Sequence, residues 1–353
     1  MKTYFDPQDA SGINWQRYRL HGQTMGTRYS AVFFAPPGAD EAAIGASLFA
    51  TVDEVDRQMS SWKPYSDLNR LNAAPVHQWL AVPEELFKVL DAALSVSRQS
   101  QGAFDIGVGD LVHAWGFGAG EGHLDEQRIK ALQARVHRPA TDVLEMDHVH
   151  RRVRKQAAIT LDLAGIAKGY GVDQLAHCLD ALGITRYLVG IDGEMRARGT
   201  KPGCQPWAVA IEKPVRHLRD VMGVMELDEA AIATSGDYRH WVEHQGKSHA
   251  HTINGALREP ASNELAAVSV ITPTCMLADA WATALMVLGE KAGIELARKR
   301  GMTALFVVHD GDGFQEISIT AGELRGDPPE VPNGLGIAQP AANAAQVSRC
   351  GTY

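Results

Sequence analysis

Residues 276–289, reading MLADAWATALMVLG, limit the fold more than any other stretch of this chain. Apolar residues fall on nearly every side of the helix they predict, so that helix must be wrapped by other elements. It follows a predicted strand over 267–271, and Gly289 is a natural stop. Two polar side chains interrupt it. Asp279 and Thr283 are four residues apart and point off one face, one turn above the other. A buried lone carboxylate is costly unless it is paired or bound to metal. A carboxylate and a hydroxyl stacked in this way offer two hard oxygens, which suit Mg²⁺ better than a soft metal. The competing reading is a core aspartate that hydrogen-bonds its neighbour. On spacing alone that structural reading is the default, because buried carboxylates are often structural.

At 353 residues, the chain predicts one large domain or two intimately packed ones. A formal net charge of -8 argues against general nucleic-acid binding. The densest basic run, residues 151–155, is short and reads as a solvated strand or turn. The cysteines Cys178, Cys204, Cys275 and Cys350 have neither CxxC nor zinc spacing. Cys178 and Cys275 lie in apolar helical stretches and read as small core residues. No segment reaches the roughly 18 consecutive apolar residues of a membrane span. The first ten residues lack an apolar signal region. The chain as given therefore predicts a cytoplasmic protein, or a periplasmic one if an export signal has been trimmed.

Residues 1–20 read as a polar lead-in and 21–325 as a single domain of two packed parts. Residues 326–353, rich in Pro, Ala, Gly and Asn without periodicity, read as a disordered tail. Apolar spacing predicts helices at 40–60, 83–100, 125–135 and 291–300, and a short helix N-capped by Ser66. Strands are expected at 29–34, 158–163, 186–191, 207–212, 221–237, 303–308 and 314–320, with a polar hairpin returning through 248–255. The glycines and aromatics of 102–118 suggest backbone held close to a ligand or to another element. Residues 158–173 form a strand, a glycine turn and a helix start, a natural anion site because free N–H groups face the turn. The spacing is neither GxGxxG nor a Walker A motif. Lys168 at this helix start is electrostatically unfavourable unless an anion lies nearby. Strands and helices mix without strict alternation, which predicts an α+β fold with mostly antiparallel sheet.

Seven segments, in order, are similar to the FAD:protein FMN transferase (ApbE) family. They are MGTRY from Met25, SDLNRLN from Ser66, GAFDI from Gly102, WGFG from Trp115, LDLAGIAKGY from Leu161, ATSGDYR from Ala233 and ADAWAT from Ala278. The resemblance spans about residues 21–325. It implies an ApbE-like (T-fold-like) α+β fold, with mostly antiparallel sheets flanked by helices. It also implies an Mg²⁺-dependent enzyme that splits FAD, releases AMP and joins FMN by a phosphoester to a Thr or Ser hydroxyl of a target flavoprotein. Metal ligands on this pattern are Asp279, Thr283 and the carbonyl of Gly165. Met25, Asp67, Leu68, Asn69, Asp105, Lys168 and Ile253 fall at positions lining the FAD site. His251 and Asp279 are the implied catalytic residues, His251 as a base near the acceptor hydroxyl. For several of these residues a plain structural role competes: Met25 in the core, Asp67 as a cap, Asp105 in a turn bond, His251 bonded within a sheet. The chain departs from the family's His-x-Ile-Asp-Pro pattern, with Asn254 for Asp and Gly255 for Pro. That departure keeps two alternatives open, an FAD pyrophosphatase with water as acceptor and a non-catalytic FAD-binding or flavin-delivery protein.

Overall fold

Strand Thr303–Asp310 shows how the core is layered. Its run of apolar residues is continuous, as expected of a strand covered on both faces. Ala304, Phe306 and Val308 point into one cluster, and Leu305 and Val307 into another. The strand belongs to a nine-stranded sheet in a computed structural model that describes residues 14–118 and 123–325. In chain order the strands are Gln16–Thr24, Thr27–Ala35, Tyr187–Ile191, Glu194–Arg198, Ala231–Gly236, Leu265–Thr272, Thr303–Asp310, Gly313–Thr320 and Glu323–Arg325. They lie side by side in that same order, each antiparallel to its neighbours. The expected α+β architecture with antiparallel sheet is what forms.

Helices Glu41–Met59, Ala167–Ala181 and Cys275–Lys299 pack together over one face of the sheet. The hairpin of Trp207–Glu212 and Val221–Leu227 covers the other through Trp207, Val209, Ile211 and Leu227. Inside Cys275–Lys299 the backbone leaves helical geometry at Gly289, with φ 76° and ψ 178°. Glycine adopts this φ without strain, so the predicted stop is a break within a longer helix. The Met286 carbonyl, whose helical donor would be Glu290 beyond the break, accepts from Asn263 Nδ2 at 2.9 Å.

Two helix starts are capped from outside. Neither Ala167–Ala181 nor Cys275–Lys299 has a side-chain cap of its own. Asp173, on the first helix, accepts from the backbone N–H groups of Cys275 and Met276, both at 2.9 Å. Asp279, on the second, accepts from the Gly169 N–H at 3.0 Å. Each helix thus satisfies orphan donors of the other. Arg196 adds a 2.6 Å ion pair to Asp173.

Three expectations change. Residues 158–163 are not a strand. Their backbone groups bond elsewhere: the Asn72 side chain brackets Leu161, donating to its carbonyl and accepting from its N–H, and Asp162 N–H reaches the Ile106 carbonyl. The lead-in before residue 21 contains the edge strand from Gln16, in which Tyr18 is buried between exposed arginines. Its apolar positions, Tyr18 and Leu20, are only two among charged and polar neighbours, which leaves little alternation to read. Residues 221–237 form two strands in different sheets. Residues 1–13, 119–122 and the tail from 326 lie outside the described residues.

Asp173→Ala is expected to lower stability by about 3 kcal/mol, since it strands two N–H groups and a partly buried Arg196. Asp173→Asn should lose less, because the amide oxygen still accepts. Urea unfolding at unchanged slope measures both, and a loss under about 1 kcal/mol for the alanine variant would remove the capping role.

Candidate active site

Glycine at position 169 lets the Ala167–Ala181 helix start against the start of Cys275–Lys299. A Cβ there would sit 2.3 Å from the Cys275 carbonyl oxygen and 2.8 Å from Asp279 Cβ. This contact is what allows Asp279 Oδ2 to reach the Gly169 N–H. One turn further along, Thr283 Oγ1 lies 2.9 Å from where a Cβ on Gly165 would be, and 3.2 Å from Ser235 Oγ. Gly165 thus meets the Asp279 and Thr283 face of a helix more than a hundred residues further along the chain. Ser235 joins them from the end of strand Ala231–Gly236.

The electrostatics at this point are unusual. Asp279 is 4% exposed. Its one hydrogen bond among the described residues is the one from Gly169. Burial first, then the neighbouring Glu194 charge, push its pKa up to about 7 against the opposing pull of Lys168 and the Gly169 N–H. Lys168 Nζ donates to Glu194 Oε1 at 2.7 Å. Burial alone would lower the pKa of this ammonium, but the Glu194, Asp279 and Asp192 carboxylates hold it above the ordinary lysine value. Glu194 is itself 2% exposed, and its second oxygen, Oε2, is buried without a partner. Asp192, two residues earlier, pairs with Arg239 at 2.6 Å.

His251 stands in a histidine-rich wall beside this centre. Its ring centroid is 5.5 Å from that of His240 and 6.4 Å from that of Phe117. Burial, reinforced by the adjacent His240 and Lys168, pushes its pKa down to about 4. It is therefore neutral near pH 7, and its Nδ1 is buried with no partner. A neutral imidazole can accept a proton at its unprotonated ring nitrogen, although the lowered pKa makes it a weaker base than a free histidine.

The other predicted site residues are spread around this centre and largely engaged by protein groups. Met25 occupies the tight turn between the first two strands at φ 47°, and its Cε lies 3.5 Å from where a Cβ on Gly171 would be. Asp105 Oδ1 accepts from the N–H groups of Gly107 and Ala140, and its Oδ2 pairs with His137 Nε2 at 2.9 Å. The turn bond that competed with a ligand role for Asp105 is thus present. Gly255, which replaces the family's proline, packs against this pair; a Cβ there would lie 3.1 Å from His137 Nε2. Asn254 Oδ1 accepts from the Leu257 N–H, closing the altered turn. Ile253 is buried with Val108, Leu111 and Phe117. Asp67 does not cap its helix; Ser66 does, and the Asp67 carboxylate binds Arg57 and Arg70. The Leu68 side chain is fully buried in the main core. Asn69 donates to the carbonyls of Ser61 and Lys63 and braces that loop.

Three carboxylates at or near the centre had no assigned role in the sequence: Glu194, Asp173 and Asp162. Asp162, three residues before Gly165, is buried, which raises its pKa, and accepts from the Ala164 N–H at 2.8 Å. The local signal is an acidic residue among buried neighbours, in a helix for Asp173, at the head of a strand for Glu194 and in irregular backbone for Asp162. For Glu194 and Asp173 that signal cannot say which distant cation it answers.

A sequence model described as the ApbE family matches residues 25–306. The FAD:protein FMN transferase of Vibrio cholerae is 35% identical over 303 residues, covering 85% of this chain and 90% of that protein. That of Escherichia coli (strain K12) is 32% identical over 315 residues, covering 88% and 89%. Among solved structures, flavin transferase ApbE from Vibrio cholerae superposes with a TM-score of 0.77 at 33% identity, over 87% of this chain and 98% of that one. The apo form of Pseudomonas stutzeri flavinyl transferase ApbE gives the same TM-score, 0.77, at 34% identity, over 87% and 96%. With the fold shared over that length and the glycine turn meeting the Asp279 helix at one centre, this chain belongs to the ApbE family.

Proposed function

We propose that this chain is an FAD:protein FMN transferase, splitting FAD, releasing AMP and leaving FMN on a Thr or Ser hydroxyl of a target flavoprotein. The observation that carries this reading is the buried Asp279 carboxylate, held by one backbone donor beside Thr283 and Gly165. The names of its relatives state the same reaction class for those proteins.

The donor set fits a divalent cation. Asp279, Thr283 and the Gly165 carbonyl are hard oxygens, and Mg²⁺ usually takes one or two carboxylates and completes its shell with water and substrate phosphates. Among the described residues no group of three or more His, Cys, Asp or Glu is arranged to hold a metal ion. On this reading the cation is shared between these oxygens and the FAD pyrophosphate. When bound there, the cation supplies charge neutralisation at the phosphoryl oxygens. The Lys168 ammonium favours the same anionic groups. Neutral His251 takes the proton of the acceptor hydroxyl as its oxygen attacks the FMN-side phosphorus. The bond from that phosphorus to the adenylate oxygen breaks, and AMP leaves. Met25, Asp105 and Ile253 frame the FAD side. The helix start at 67–69 contributes through its backbone, because its side chains are engaged in the core, with Arg57 and Arg70, and with the loop before it.

The direct test incubates the protein with FAD, Mg²⁺ and a purified acceptor flavoprotein. Mass spectrometry should find the acceptor heavier by FMN. Intact FAD with every acceptor tried would defeat the proposal, and free FMN with AMP in the absence of acceptor would identify water as the acceptor.

Asp279→Ala should cut metal-dependent FAD cleavage by about a thousandfold, the scale of losing one charge-stabilising group, and cost only about 1 kcal/mol of stability for the unmet Gly169 N–H. Turnover and urea midpoints separate the two effects; full turnover would remove Asp279 from the chemistry.

His251 generates a pH prediction. In the unfolded chain it binds a proton below about 6.5, but in the folded protein only below about 4. The unfolded state therefore binds more protons within that window, and stability falls as pH drops through it, while above it this group has no effect. His251→Gln should remove about 1 kcal/mol of the stability difference between about pH 7 and about pH 5.5. Identical pH dependence of urea unfolding in the two proteins would contradict the buried neutral imidazole.

A further inference from the structure

Lys168 stands between two buried carboxylates. Glu194 and Asp279 both attract its ammonium, yet its hydrogen bond goes to Glu194 alone, at 2.7 Å. A lysine head on a flexible four-carbon stem settles wherever a buried anion offers the best partner. Without Glu194, the carboxylates left in reach of its charge are Asp192, already paired with Arg239, and Asp279, whose one hydrogen bond among the described residues comes from the Gly169 N–H.

We propose that Glu194 is a positioning residue: it draws the Lys168 ammonium away from Asp279 and so leaves an Asp279 oxygen free for a divalent cation. The inference rests on the metal reading of Asp279 given above.

Four features support it. Glu194 is 2% exposed, so no solvent competes for its charge. Its Oε2 is buried and unpartnered, so Lys168 is the one partner that compensates it. Its strand is pinned two residues later by the 2.6 Å contact from Arg196 to Asp173. Residues two apart share one face of a strand, so Glu194 and Arg196 both address the Ala167–Ala181 helix, at Lys168 and Asp173. Finally, the Lys168 ammonium already sits 2.7 Å from Glu194 Oε1, so a metal ion bound directly to Glu194 would have to displace it.

The test uses Mn²⁺ alone as the probe, titrated into the full chain and read as free ion by electron paramagnetic resonance. Glu194→Gln keeps the shape but not the charge. It should weaken Mn²⁺ binding about tenfold, the penalty when the competent state falls to about a tenth of the population. Adding Lys168→Met to that variant should restore binding to within about twofold of the wild type, because the competing cation is gone, a coupling between two touching residues. Lys168→Met by itself should bind Mn²⁺ at least as well as the wild type, which keeps the idea testable even if Glu194→Gln fails to fold. Asp279→Ala should abolish binding. If Asp279→Ala binds like the wild type, the metal reading itself fails. If Asp279→Ala loses binding while Glu194→Gln keeps wild-type affinity, or the double variant is no better than Glu194→Gln, the positioning role is overturned. Equal affinity in the wild type and Glu194→Gln, including no measurable binding in both, likewise overturns it.

Discussion

The exchange of caps between Asp173 and Asp279 requires each helix start to lie against the second turn of the other helix. That demand sets much of the rest. It makes residue 169 a glycine, since any Cβ would collide with the Cys275 carbonyl. It places Thr283, one turn beyond Asp279, against Gly165. It also buries a carboxylate with a single donor, a state that is costly for structure alone. A helix needing only a cap is served by its own Ser, Thr or Asp; here Asp279 comes from another element, and only one of its oxygens is used for capping.

Around that pair, charges are arranged in layers. Strand Glu194–Arg198 sends Glu194 to Lys168, Arg196 to Asp173 and Arg198 to Asp180, so one strand face meets all three charged positions of the Ala167–Ala181 helix. Asp192 and Glu212 hold Arg239 beside His240. The lysine that looked misplaced at a helix N-terminus is received by the buried Glu194 carboxylate. The same burial that raises Asp279 lowers His251, which separates an acid-prone carboxyl from a neutral base within one centre.

The elements were legible where one strong pattern covered them. The all-round apolar run at 276–289, the Ser66 cap and the strands after residue 300 stand as expected, because periodicity and caps are local. The strand expected at 158–163 is absent because side-chain and loop groups from Asn72 and Ile106 take its backbone bonds, which no local pattern encodes. Asp67, Asn69 and Asp105 were legible as polar residues at glycine-rich or capped turns. That they would be met by Arg57, the Ser61 carbonyl and His137 depends on neighbours brought in from elsewhere in the chain.

By itself the sequence determined that residues 276–289 must be buried with two stacked oxygens on one face, that a glycine turn precedes a helix at Gly165, and that an antiparallel α+β fold surrounds them. Helical and strand periodicity dictate those features within a few residues. Only the tertiary structure decided that Asp279 meets Gly169, that Thr283 meets Gly165, and that Lys168 binds Glu194. Those choices depend on which groups burial forces together and on how the resulting charges compensate one another, and both quantities exist only once the chain has closed on itself.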